Sequence, residues 1–139
     1  KAGISIQKQL SERRESFQKE FSAKENDLVK AEKILVEQKK TMSAADFEVK
    51  RKDFEKKLLE TRNLFQKRRN SLDKGLSVAL SSLRKNIIQV TAEVADEDKF
   101  QVVLTRDSVV IVQKEMDITQ KVLSHLDKKT PNIKLDVSE

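Results

Sequence analysis

Apolar residues recurring at alternating steps of three and four, from about Ile6 to Ala95, restrict this chain more than any other feature. Such spacing gathers side chains on one face of a helix, and a sustained seven-residue repeat is the pattern of coiled coils. Leu10, Phe17, Phe21, Leu28, Ala31, Leu35 and Met42 form a first stripe, interrupted by Arg14, Lys24 and Gln38. Phe54, Leu58, Thr61, Phe65, Arg68, Leu72, Leu76, Ala79, Leu83, Ile87, Val90 and Val94 form a second. Its later part follows an eleven-residue repeat, which relaxes a left-handed supercoil toward straight helices.

The two stripes pair in order if the chain folds back around Ser43-Ala44-Ala45-Asp46. Leu35 then meets Phe54, Ala31 meets Leu58, Phe17 meets Leu72, and Leu10 meets Ala79 or Leu80. The pattern predicts a long antiparallel helical hairpin over residues 1–95 with its tip at about 42–47. Each arm is on the order of 50 Å long at about 1.5 Å per residue. Ser43 or Asp46 is the candidate cap of the second arm. Gly75 sits where the repeat changes, and reads as a bend, a close approach of the arms, or a tolerated surface glycine.

Beyond Ala95 the period drops to two. Asp96-Glu97-Asp98-Lys99 is a polar break, and Phe100 to Thr105 and Ser108 to Val112 are β-branched runs separated by Arg106-Asp107, which predicts a β-hairpin. Phe100, Val102 and Leu104 share one side, while Val109 and Ile111 belong to a run apolar on both. Strands of this kind need burial on both faces, yet a lone hairpin is marginal in water, so further strands must come from a preceding segment or from other subunits. Asp117, with Gln120 three residues on, is a helix-start signal, and Ile118, Val122, Leu123 and Leu126 give that helix an apolar face. Residues 96–129 read as an assembly body and residues 130–139 as a loose tail. The fold class expected is mainly α with a small β body.

Of the 139 residues 37% are charged, and the net charge is +6, but it is unevenly placed. Residues 39–69 alone hold 11 Lys and Arg against 5 Asp and Glu. Lys39, Lys40, Lys50, Arg51, Lys52, Lys56, Lys57, Lys67, Arg68 and Arg69 therefore make the hairpin's far end basic and are the candidate sites for anionic partners, such as acidic chains, anionic lipid or nucleic acid. The phenylalanines have two readings, a client-gripping surface or packing within the seam, and their periodicity favours the seam.

Chemistry is not indicated. Cysteine is absent, which excludes disulfides and thiol catalysis, and His125 is the sole histidine, too little for a metal site. Asp96, Glu97 and Asp98 lack a partner base, and no glycine-rich phosphate loop occurs. A non-enzymatic protein without cofactor or metal is expected. The chain opens on Lys rather than Met, which fits a leader removed or lying outside it.

The order of elements resembles the Skp (OmpH-like) family of periplasmic chaperones. The likeness rests on the long helical hairpin with a basic tip, the strand pair FQVVLTRDSVVIV, the triplet Asp117-Ile118-Thr119 opening MDITQKVLSHLDKK, and the opening Gly3-Ile4-Ser5-Ile6-Gln7-Lys8-Gln9-Leu10. The resemblance implies a homotrimer with a central β-barrel-like body, in which Phe100, Val102, Leu104, Val109 and Ile111 lie. It also implies three helical tentacles around a cavity for unfolded outer-membrane proteins, held without ATP. The family begins with a further hydrophobic strand, which would precede Lys1. Lipopolysaccharide is a partner proposed for the family, and no residues are carried over for it.

Two other readings of the same residues stand beside this one: a basic coiled coil that binds nucleic acid, and a structural coiled-coil spacer. Acids interleave the basic residues and no aromatic stacking surface is evident, so no nucleic-acid partner is expected. A spacer does not need charge concentrated at one end.

Overall fold

The computed structural model describes residues 1–137. Three α-helices account for most of them: α1 (Ala2–Gln38), α2 (Ala44–Asp98) and α3 (Thr119–Lys129), with short 3-10 turns at Arg106–Ser108 and Lys114–Met116. The chain divides into two compact units, one of residues 1–9 and 75–136 and the other of residues 10–74 with Val137.

In the second unit α1 and α2 are joined by a turn that contains neither glycine nor proline. The amides of Lys39 and Met42 donate to the carbonyls of Leu35 and Gln38 at 3.1 and 3.0 Å, closing α1. Ser43 then starts α2: its Oγ accepts the Asp46 amide at 3.1 Å and its hydroxyl donates to Asp46 Oδ2 at 2.7 Å. Both candidate cap residues thus act together, the serine satisfying an otherwise orphaned helix N–H and the aspartate fixing the serine. Packing along the seam centres on Phe65, which is buried. Its ring meets Phe17 and Phe21 edge-on, with centroids 5.4 and 4.7 Å apart. Rings in this geometry gain from the quadrupole as well as from burial. These phenylalanines fill the seam.

In the first unit the buried residues are Ala2 and Ile6 of α1, Ala79, Val90 and Val94 of α2, Leu126 of α3, and Ile133 and Leu135 beyond it. Gly75 is buried too, which removes the surface-glycine reading. Ion pairs tie α3 to the end of α2: Lys121 Nζ lies 2.6 Å from Asp98 and 3.7 Å from Glu97, and Lys129 pairs with Glu93. The acidic run read as a connector is therefore helical, and α2 continues to Asp98, three residues past the expected end. Lys99 follows with φ of 59° while the Phe100 amide reaches the Ala95 carbonyl at 2.9 Å. That six-to-one bond closes a Schellman-type helix end, with lysine where glycine is usual.

Two expectations are corrected. The β-hairpin does not form: among the described residues there is no strand, and Phe100–Thr105 and Val109–Val112 are not paired with each other. The reason is the one that made the hairpin marginal, since two short strands apolar on both faces bury too little against each other. A 3-10 turn at Arg106–Ser108, closed by Ser108 N–H to Thr105 O at 2.9 Å, takes the place of the two-residue β-turn.

The second correction is the described part of the 130–139 tail, residues 138–139 lying outside the described residues. Residues 132–135 are docked, not loose: Gln9 Nε2 donates to the Ile133 carbonyl at 2.8 Å and Gln9 Oε1 accepts the Leu135 amide at 3.0 Å. A side-chain amide that meets the backbone of alternate residues in this way imitates a neighbouring strand. Ser5 hydrogen-bonds Asn132 alongside. Asp117 accepts the Thr119 amide at 3.0 Å as a local turn, but it stands one residue before the N-cap of α3, a position held by Ile118 without a side-chain cap hydrogen bond.

Candidate functional site

Two surfaces emerge, one in each unit. In the second unit the ten basic candidates have separate fates. Arg51 Nη2 holds Glu48 at 2.6 Å and Nη1 lies 3.3 Å from Glu55. The hydrogen bond from Arg51, followed by its charge and that of Lys52, keeps the Glu48 carboxyl below its ordinary value, and the same contact raises Arg51. Arg68 is half-buried and pairs across the seam with Glu20. Lys56 approaches Glu60 at 4.0 Å.

Close to the turn, Lys39 Nζ lies 5.7 Å from the centre of the Phe47 ring, and Lys50 Nζ donates to Gln38 Oε1 at 2.9 Å. Neither partner carries a negative charge, so both lysines keep theirs for other anions, and the π-face of Phe47 steadies one of them. Lys40, Lys52, Lys57, Lys67 and Arg69 are exposed. The fold thus sorts the set: Arg51 and Arg68 are engaged within the hairpin, and the lysines carry most of the outward positive field.

In the first unit the segment between α2 and α3 presents the other surface. Val110 is 99% exposed, Ile111 88% and Val102 71%, with Leu104 and Met116 also well exposed. The segment curves around a groove of about 620 Å³ whose lining includes Phe100, Val102, Leu104, Val109 and Ile111. All five residues expected in the assembly body therefore border one concavity. Val103, Val112, Met116 and Ile118 border it as well, and the signal for the two valines was present in the runs that are apolar on both faces. Arg106 reaches back to Asp117 at 3.7 Å, which holds the segment's turn near the start of α3. The Asp117 carboxyl is lowered by its hydrogen bonds with Thr119 and by the Arg106 charge.

So much bare aliphatic surface on one short segment makes it a candidate interaction site, because scattered single residues are normal on a monomer and a contiguous patch is not. Its extended backbone also carries N–H and C=O groups available to a neighbour.

The whole sequence of elements is also that of a known family. The family described as outer membrane protein (OmpH-like) matches residues 1–126. The chain belongs to the OmpH-like family. A crystal structure of a proposed outer membrane chaperone (OmpH-like) from Caulobacter crescentus CB15 superposes with a TM-score of 0.90, covering 99% of this chain and 82% of that one. Sequence identity to it is 21%, so the likeness establishes the OmpH-like fold. Comparison by sequence with curated proteins gives no significant match. Among the described residues no helix of this OmpH-like chain is long and apolar enough to cross a membrane, and no cluster of His, Cys, Asp and Glu is gathered as for a metal ion.

Proposed function

We propose that the chain is an ATP-independent periplasmic holdase that works as a homotrimer and keeps unfolded outer-membrane proteins from aggregating. The observation that carries this reading is the bare apolar segment from Phe100 to Val112, whose strand-forming residues border a groove and find no strand pairing among the described residues. Copies of the segment from several subunits supply one another with the missing strand partners, and a β-barrel-like body removes the open edges. Membership in the OmpH-like family supports the class of client.

In the assembled protein the helical hairpins surround a shared space with their basic ends. Lys39, Lys40, Lys50, Lys52, Lys56, Lys57, Lys67 and Arg69, with Arg51 and Arg68 behind them, speed encounter with acidic chains through their summed potential. Each contact is weak and reversible, and the hold comes from many of them acting inside one enclosure. Release needs no nucleotide: a client that buries its apolar surface by folding elsewhere has nothing left to offer. The same charge suits anionic lipid or lipopolysaccharide as a further partner.

The test is dilution of a urea-unfolded porin into buffer with increasing amounts of the protein, followed by light scattering at low and high salt. Full suppression near one trimer per porin, weakened by charge reversal at Lys40, Lys52 and Lys57, is the expected result. Unchanged porin aggregation together with steeply salt-dependent binding to DNA would replace this reading with the nucleic-acid one.

A further inference from the structure

From Asn132 to Asp136, within the first unit, the chain is non-helical and exposed and buried residues alternate without a break. Ile133 and Leu135 are 9% and 6% exposed, and Lys134 between them faces solvent. On α1 of the same unit, Ala2, Ser5, Ile6 and Gln9 recur at steps of three and four and so share one face. Ala2 and Ile6 are buried, and Ser5 and Gln9 beside them hold the segment.

The hold is of a kind that reads a strand. From Ile133 and Leu135 Gln9 takes only main-chain groups, one carbonyl and one amide. Its own amide is aimed by Ser5 Oγ at 3.1 Å. Asn132 alone is held through its side chain, by Ser5 and, at 3.4 Å, by Gln9. Main-chain bonds bind without regard to sequence, and burial of every second side chain supplies the selection, as when a peptide adds to a sheet edge. Ser5 and Gln9 lie inside the family match, residues 1–126, and the segment they hold lies outside it.

We propose that this face of α1 is a binding site for extended polypeptide with apolar residues at alternate positions, and that residues 132–135 are its built-in occupant. Strands of membrane β-barrels carry an apolar residue at every second position. An unfolded outer-membrane protein is therefore rich in segments that match Ile133-Lys134-Leu135. Such a segment enters by displacing the occupant; naming it as the competitor rests on the holdase reading above. The occupant is tethered and so competes at high local concentration. An outside strand binds more weakly, in proportion to the fraction of time the site stands open.

The probe is a fluorescein-labelled peptide copying residues 130–136, followed by fluorescence anisotropy. Full-length protein with Ile133→Asp and Leu135→Asp releases the occupant, and is expected to bind the peptide about tenfold more tightly than the parent does. Ile133→Ala with Leu135→Ala introduces no charge and is expected to shift binding the same way. It decides the matter if the aspartate pair loses helix content by circular dichroism. Adding Gln9→Leu to a released chain is expected to weaken the peptide about tenfold or more, through two lost hydrogen bonds. A peptide of the same composition with Ile and Leu adjacent is expected to bind about tenfold more weakly, since one of the two side chains then stays in water.

Equal binding by the parent and the released chains overturns the proposal, and so does equal binding of the two peptides. Unfolded porin is expected to displace the labelled peptide from the released chain. A porin that leaves it in place, while the parent still suppresses porin aggregation, overturns the proposal and leaves the holdase reading standing. A parent that fails to suppress aggregation sinks that reading instead, and the peptide measurements alone then decide the site.

Discussion

Gln9 and Leu135 lie 126 positions apart in sequence, yet the side-chain amide of the first accepts the backbone N–H of the second at 3.0 Å. With the companion bond to the Ile133 carbonyl at 2.8 Å, one side chain satisfies both a donor and an acceptor of the docked segment. Gln9→Leu leaves two polar backbone groups of a partly buried segment without partners. Urea unfolding is expected to show a loss of about 2 kcal/mol, at about 1 kcal/mol per hydrogen bond. Gln7→Leu, at an exposed position of the same helix, is expected to change stability by less than about 0.5 kcal/mol. Equal effects would show that the clamp contributes nothing.

Phe65 fixes the hairpin seam through Phe17 and Phe21. Replacing it with alanine removes both edge-on contacts and opens a void, and the expected cost is about 3 kcal/mol. Thermal unfolding monitored by circular dichroism measures it. Val110→Ser, at a side chain 99% exposed in the single chain, serves as the comparison. Its effect on a dissociated chain is expected to be negligible, so any larger effect at high protein concentration reports assembly.

Lys99 closes α2 with a positive φ of 59°. Glycine takes that conformation without the Cβ crowding a lysine suffers, so Lys99→Gly is expected to raise stability by about 1 kcal/mol despite the greater freedom of the unfolded chain. Ser43→Ala works in the other direction at the opposite end of the same helix and is expected to cost about 1 kcal/mol. Because the two sites flank opposite ends of a 55-residue helix, the double variant is expected to lie near the parent.

The pH dependence follows from four shifted groups, Glu48, lowered by its hydrogen bond with Arg51, with Asp117, Glu93 and Lys121. Asp117 lies below its ordinary 3.8, first because of its hydrogen bond with the Thr119 side chain, and Glu93 below its ordinary 4.5, first because of its hydrogen bond with Lys129. A carboxyl with a depressed folded value stabilises fully above its unfolded value, and that contribution is lost as pH falls through the folded one. Lys121 is raised above 10.5 by Asp98 first, so its contribution is complete below that value and disappears as pH rises through the raised one. Unfolding midpoints are expected to be flat through the neutral range and to fall at both extremes. Asp117→Asn shallows the acid limb alone. Since these groups are solvent-exposed, salt is expected to diminish both limbs.

The helical half of the fold was legible because a period of three and four over dozens of residues has few other meanings. Phe17, Phe21 and Phe65 are seam residues in the pattern and in space. The turn was placed a few residues late, since nothing between Gln38 and Ala44 punctuates the chain with glycine or proline. Phe100 to Val112 reads as strand, and its residue types do favour strand, but pairing is a property of two segments and among the described residues no second segment pairs with it. The docking of Ile133 and Leu135 was invisible for a different reason. Two alternating apolar residues after a proline are too short a signal, and Gln9 looks like any polar residue on a helix. The sorting of the basic residues, with Arg68 turned to Glu20 and Lys50 to Gln38, depends on register between arms, which charge counts do not contain.

The central claim is that the segment from Phe100 to Val112 joins copies of this chain. Multi-angle light scattering of the parent protein and of Ile111→Asp measures it most directly. The account predicts a mass of three times the 16.0 kDa chain for the parent and of one chain for the variant, with helix content retained. A parent that runs as a single chain, or a variant that keeps the parent's mass, would contradict it.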